Sequence, residues 1–424
     1  MKIKNFIFFS AAVFICIFGF SAEIKAEKTL PVPDNENISI PAFMQSGNSA
    51  GSFNIKGIDY TIEDAGLLTD EEHKLAGSFK IDDDNLLFIY TDFLRNKKFV
   101  REGIITSFNV KNKAYEELIR HNDTDYTGAI RLKDGRILLT GHKTAIFNPV
   151  TKEIKPNNDR TAGSDFHTVQ KDDNTILRFL PDSKPGRKIQ HPVCRDIIEY
   201  MQVLETDLNT GDKKEINRIE TPCEFYKRGH ITLEDNRILS YAIGSACINP
   251  DMNLYLYDIK KNEYKKLMKI NGIGFDDAVS AQKLNNGYIL FTGGTNECSK
   301  AFDTGNKEYL NSIIYDADKN KIVKKVKMLY APLSGYAAPV LIPLKTGDLL
   351  IIEEGRIRQY FDINAMEFKP LEKEIVLKTQ GGDNITVLNG NTIVISHGNI
   401  KQGYGSTGWS TQAYILRSSA SVKK

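Results

Sequence analysis

Ala129-Ile130-Arg131-Leu132-Lys133-Asp134-Gly135-Arg136-Ile137-Leu138-Leu139-Thr140-Gly141 joins two apolar segments through a turn, and Ala145-Ile146-Phe147-Asn148-Pro149 follows a few residues later. Asp-Gly tolerates the positive φ that a tight hairpin turn requires. The run Ile137-Leu138-Leu139 is too continuously apolar for a strand with one wet face, and suits a strand covered on both sides. The closing aromatic-Asn pair starts another turn, because a short amide or acid side chain can accept from the next backbone N–H groups.

The same phrase recurs. Ile231-Thr232-Leu233, Glu234-Asp235-Asn236, Arg237-Ile238-Leu239 and Leu254-Tyr255-Leu256-Tyr257-Asp258 form one copy. Ala281-Gln282-Lys283-Leu284, Asn285-Asn286-Gly287, Tyr288-Ile289-Leu290-Phe291 and Ile313-Ile314-Tyr315-Asp316 form another. Aligned on the turn, the copies fall at Asn85, Gly135, Asn174, Asn236, Gly287, Gly347 and Gly390, a mean spacing of about 51 residues. Helical periodicity is scarce. The grammar predicts an all-β chain: a seven-bladed β-propeller of four-stranded antiparallel blades, with six or eight blades open on spacing alone.

In period, and in the double glycine Gly293-Gly294 that ends a second strand, the chain resembles the kelch repeat family from about residue 75 to its end. Gly141 and Gly398 keep traces of that glycine pair, and the tryptophan that kelch repeats place after the third strand is missing. Tyr115, Tyr264 and Phe368 stand in comparable places, so the likeness is to a divergent member.

Before the repeats, Lys2 and Lys4 precede an uncharged run from Asn5 to Ala22, and Ala26 offers a small residue for cleavage. This reads as a signal peptide over residues 1–26. An uncleaved anchor is the rival, although no basic stop-transfer cluster follows. Residues 27–70 are then an N-terminal segment and 71–424 the propeller. Loss of the leader removes three of 56 basic and one of 54 acidic residues, leaving 53 of each. A neutral chain without basic runs has no grip on nucleic acid. Export without stable membrane insertion, to the periplasm or the exterior, is the expected localisation.

The last repeat offers strands near 385–388, 392–396 and 411–417, and no fourth. A propeller must close its ring, so a segment within 38–61, for which Ser52-Phe53-Asn54-Ile55 is one candidate, is expected to supply the missing strand. Long stretches follow the second strands at 179–197, 242–253, 295–311 and 396–410. By strand direction they share one face with the crossings between blades, and length beyond what closure needs marks a functional rim.

Cys194, Cys247 and Cys298 lie in those stretches and Cys223 in a crossing on the same face. An even number of cysteines in an exported chain favours two disulfides. Three pairings are open; Cys247–Cys298 with Cys194–Cys223 is preferred because the first ties neighbouring blades. The spacing holds no CxxC pair and implies no metal site. Asp82-Asp83-Asp84-Asn85 reads as a solvated turn.

Trp409, the single tryptophan, and Tyr404 lie in a Gly/Ser-rich loop and could stack on a sugar or anchor a partner, or pack on a neighbouring blade. Arg160, His167, Arg228, His230 and Tyr336, with His121, Tyr126, Asp165, Asp276 and Asp277, are brought toward the channel mouth, where Arg and His suit a carboxylate. No nucleophile elbow, zinc-protease motif or phosphate loop is present, and no cofactor is implied. The sequence reading is a binding or scaffold module for a protein or glycan partner. The alternative is a carbohydrate-active enzyme resembling kelch-type sialic acid mutarotases, with Arg160 or Arg228 holding a carboxylate.

Overall fold

Each apolar–turn–apolar phrase folds as an antiparallel hairpin, and each hairpin gains two further strands to become a blade. The computed structural model describes residues 49–67, 74–91, 94–95, 98–99, 102–122, 126–141, 144–157, 167–181, 199–221, 227–233, 237–243, 252–270, 276–294, 312–330, 338–353, 355–377, 383–400 and 409–419. Seven sheets form a seven-bladed propeller. From inner to outer strand, blade 1 is Lys74–Lys80, Asn85–Thr91, Glu102–Asn109 and Ala114–Asn122. Blade 2 is Tyr126–Arg131, Ile137–Gly141, Thr144–Asn148 and Glu153–Asn157, and blade 3 is His167–Gln170, Thr175–Pro181, Glu199–Asp207 and Lys213–Thr221. Blade 4 is Lys227–Thr232, Arg237–Ile243, Met252–Asp258 and Glu263–Ile270, and blade 5 is Asp276–Lys283, Ile289–Gly294, Ser312–Asp316 and Lys321–Val326. Blade 6 is Val340–Pro343, Leu349–Glu353, Arg356–Asp362 and Glu367–Val376.

Blade 7 closes the ring. Asp383–Asn389, Thr392–Ile400 and Trp409–Ser418 come from the end of the chain, Ile58–Leu67 is the fourth strand, and Ser49–Ile55 adds a fifth. Tyr60 pairs with Ser418 and Ile62 with Leu416. The strand centred on Ser52–Ile55 is therefore not the closing one, as the sequence led us to expect, but the edge strand outside it. Both arms of this hairpin alternate apolar and polar residues. Ile62 (0% exposed), Ile55 (1%), Tyr60 (2%) and Ile58 (4%) are the hairpin's contribution to the seam with blade 6.

The core is divided among the seams. Seven apolar clusters occupy the seven gaps between adjacent blades. Strands inside a blade thus meet a neighbour on each face, which explains second and third strands buried at every position, such as Ile137–Gly141, Ser312–Asp316 and Leu349–Glu353. Outer strands such as Lys321–Val326 stay largely wet.

The third strands of blades 1 to 6 end in Asp or Asn, after an aromatic residue in all but blade 3 (Thr206-Asp207), and build one turn repeatedly. Asn109, Asn148, Asp207, Asp258 and Asp362 each accept from the backbone N–H groups two and three residues on, at 2.7–3.4 Å. Asp316 accepts from Lys319 N–H at 3.0 Å. The residue that re-enters the outer strand has positive φ: Lys113, Lys152, Gly211, Asn262, Asn320 and Met366. In blades 4 and 5 the aromatic joins in, with Tyr257 donating to Asn262 Oδ1 at 2.5 Å and Tyr315 to Asn320 Oδ1 at 2.8 Å. Burial pushes both tyrosine hydroxyls up to about 12. Tyr264 stacks on Tyr255 at 5.1 Å between ring centroids, and Phe368 meets Phe361 edge-on at 5.2 Å.

The closing hairpin is pinned by buried charge. Lys56, at its turn with φ 51°, places Nζ 2.8 Å from Asp348 Oδ1 and 2.9 Å from Asp362 Oδ1, and Lys369 reaches Asp362 Oδ2 at 2.9 Å. Asp348 is wholly buried and also accepts from Ile363 N–H at 3.0 Å. Burial opposes ionisation of Asp362. The hydrogen bonds from Lys56, Lys369 and Ala365 N–H outweigh it and hold the carboxyl well below the usual carboxylate range.

Candidate functional site

Strand direction assigns every connection to one of two faces. One face carries the turns from inner to second strand and from third to outer strand. These are short throughout, as at 132–136, 208–212 and 363–366, and their backbone groups are satisfied locally. The opposite face carries the crossings between blades and the connections from second to third strand. Those connections span 92–101, 182–198, 244–251, 295–311 and 401–408, against only 142–143 and 354–355 in blades 2 and 6. The face expected to carry insertions is the one that does, and residues 92–101, with the small hairpin Leu94–Arg95/Lys98–Phe99, add a member that the sequence reading missed. Its turn residues, Asp92 and Asn96, stand outside the apolar–turn–apolar phrase, so the repeat hides it.

The sequence candidates fall unevenly on this frame. Arg160, Tyr336, Tyr404, Cys194, Cys223, Cys247 and Cys298 lie outside the described residues, as does Asp165. His167 and Arg228 are inner-strand residues, paired with Phe179 and Ala242. Trp409 starts the third strand of blade 7, opposite Ile400. His230 has moved from expectation: its Nδ1 lies 2.8 Å from Ser240 Oγ and its ring packs on Phe179 at 6.2 Å, in the seam between blades 3 and 4. His121 Nδ1 lies 2.7 Å from the hydroxyl of Tyr126, which is wholly buried and has its ionisation pushed far up by burial. Asp82 caps its own turn, accepting from Asp84 and Asn85 N–H at 2.8 Å each.

A polar constellation not singled out in the sequence lies on the insertion face, where blade 5 meets blade 6. Glu353 ends the second strand of blade 6 and is 1% exposed; Gln359, on the third strand, is 0% exposed. Gln359 Nε2 donates to Glu353 Oε1 and, at 2.5 Å, to the carbonyl of Tyr330, while its Oε1 accepts from Leu329 N–H at 3.0 Å. Arg358 Nη2 donates to Glu353 Oε2 at 2.8 Å, and its guanidinium lies 4.7 Å from the Tyr330 ring centroid. A carboxylate as buried as Glu353 is tolerable only because it is paired and hydrogen-bonded. The one local signal was the charged run Glu353-Glu354-Gly355-Arg356 interrupting an apolar strand pair. Its partner Tyr330 is in another blade, beyond the reach of a local pattern.

No protein-family model and no curated protein sequence matches the chain. Solved structures similar to it include acylaminoacyl peptidase from Pyrococcus horikoshii, at 14% identity and TM-score 0.47, over 82% of this chain and 52% of that one. A Dyadobacter fermentans protein of unknown function is similar at 12% identity and TM-score 0.43, over 86% of this chain and 100% of that one. A putative 6-phosphogluconolactonase from Bacteroides fragilis is similar at 12% identity and TM-score 0.45, over 78% of this chain and 92% of that one. The chain spans about half the length of the peptidase. These likenesses transfer no activity to it.

Proposed function

We propose that this propeller is a divergent, kelch-like binding module that is exported and recognises a protein or glycan partner through its insertion face. The observation that carries this reading is the asymmetry of the two faces. All long second-to-third-strand connections issue from one face, and the opposite face has only the turns that closure needs. Selection for folding alone gives no reason to concentrate length on one side, whereas a binding rim does. In this reading residues 1–26 are a cleaved leader, and Cys247–Cys298 and Cys194–Cys223 stiffen the rim so that less conformational freedom is lost on binding.

The test compares partner capture from the native envelope, and retention on a glycan array, by wild type and substituted proteins. Trp409→Ala is expected to abolish binding, while Arg160→Ala and Arg228→Ala leave it intact. The reverse pattern would transfer function to the channel mouth and favour sugar-modifying chemistry there. Equal binding by all three variants would exclude both sites.

A further inference from the structure

We propose that the seam between blades 5 and 6 is an anchoring site for an acidic segment of a protein partner, built by Leu329, Tyr330 and Arg358. The proposal rests on the insertion face being the binding face, and it names the chemistry of one subsite on it.

Leu329 and Tyr330 follow the outer strand of blade 5 and stand 50% and 38% exposed, side by side. The backbone of both residues is held by a buried side chain. Gln359, wholly buried, accepts from both of their N–H groups, at 3.0 and 3.4 Å, and donates to the Tyr330 carbonyl. A fixed aromatic loses little entropy when a partner covers it.

Arg358 is there because of a β-bulge. Ile352 pairs with Ile357 and Ile351 with Gln359, which leaves Arg358 as the extra residue, and a bulge re-aims the side chain it carries. The guanidinium is thereby laid against Tyr330 and tied to Glu353 by a single nitrogen. A guanidinium has five donors. Glu353 and the Tyr330 ring are its partners among the described residues, and although Nε is itself buried, the side chain stays 20% exposed. Glu353 offsets the charge, but the donors on the exposed part of the guanidinium can still take a second carboxylate.

This point borders one of the two shortest second-to-third-strand connections of the ring. Blade 6 has only 354–355 between its second and third strands, whereas blades 5 and 7 carry 295–311 and 401–408. Val376, 62% exposed and paired with Arg356, is a further exposed apolar residue at this end of the outer strand of blade 6. Aliphatic neighbours beside a Tyr–Arg pair fit a peptide presenting a carboxylate between apolar side chains; an acidic sugar would find too few polar partners.

The probes are the peptides acetyl-Leu-Glu-Leu-amide and acetyl-Leu-Gln-Leu-amide, and glucuronic acid, titrated while the methyl resonances of Leu329 and Val376 are followed by NMR. The acidic peptide is expected to shift the Leu329 methyls and to bind about tenfold more tightly than its amide counterpart, as one charge-assisted contact gives. Tyr330→Ser and Arg358→Gln each remove that preference. Because Arg358→Gln strips the partner of a buried carboxylate and risks misfolding, Leu329→Asp, which leaves the Glu353 pairing intact, serves as the second variant and repels the acidic probe. Equal shifts by both peptides, unchanged binding in the folded Tyr330→Ser and Leu329→Asp proteins, or shifts by glucuronic acid alone would each overturn the proposal. The peptides need no natural partner. Their failure therefore leaves the binding-face reading standing, and a natural partner insensitive to that face would refute the face while leaving the peptide result in place.

Discussion

Lys56 sits on a turn in a fully written sequence and looks like any solvated lysine, yet it meets two aspartates that are the most deeply buried acids around the closing hairpin. Removing its charge leaves Asp348 and Asp362 short of a partner. Lys56→Met is expected to cost about 2–4 kcal/mol in urea unfolding, and adding Asp348→Leu to recover much of it. The pH dependence has a definite sign. The Asp362 carboxyl is held below its ordinary value of 3.8 in the folded protein, so its contribution is fully present above that pH and is lost as pH falls below it. Melting temperature should fall between about pH 4 and pH 2 in the wild type and fall less steeply in Asp362→Asn. Two glycines are similarly uncompromising. A Cβ on Gly103 would lie 2.3 Å from the Tyr126 ring and one on Gly229 would lie 2.0 Å from that of Tyr241, whose hydroxyl burial pushes up to about 12. Either residue changed to Ala should destabilise the fold by about 1–3 kcal/mol, measured by the same unfolding transition.

At the scale of elements, the recurring third-to-outer turn separates two contributions. Asp258 satisfies two backbone donors, so Asp258→Ala should cost about 1 kcal/mol, comparable to loss of a helix cap. Lys152 holds φ 58° while its side chain is 57% exposed, so little is lost with that side chain. Lys152→Gly should therefore raise stability by about 0.5–1 kcal/mol, and a lowered melting temperature would show that the turn is not strained. The aromatic-Asp/Asn pair was legible as a turn signal because donor and acceptor lie within three residues. The positive-φ residue after it was not, since lysine and methionine carry no local mark of that conformation. Strand positions were likewise clear where apolar runs met turn residues, and unclear at 92–101, where Asn96 stands among charged residues and the apolar stretches are only pairs.

For the whole molecule, the hairpin Ser49–Ile55/Ile58–Leu67 is the joint that turns seven sheets into a ring. Without it the third strand of blade 7 has an open edge and the seam to blade 6 loses Ile55, Ile58, Tyr60 and Ile62. A protein lacking 49–67 should lose its cooperative transition, and a synthetic peptide of those residues added in trans should restore it; unaltered melting of the truncated chain would show that the other six seams suffice. The sequence by itself determined the all-β class, the seven repeats, the turns and the face that bears insertions, because hairpin chemistry and two-sided burial are written in contiguous residues. Only the tertiary structure decided which N-terminal strand closes the ring, that Lys56 joins Asp348 and Asp362, that His230 packs in a seam, and that Glu353, Gln359 and Arg358 gather around Tyr330. Each of these depends on residues from different blades or opposite ends of the chain, whose meeting is set by the order and register of whole sheets.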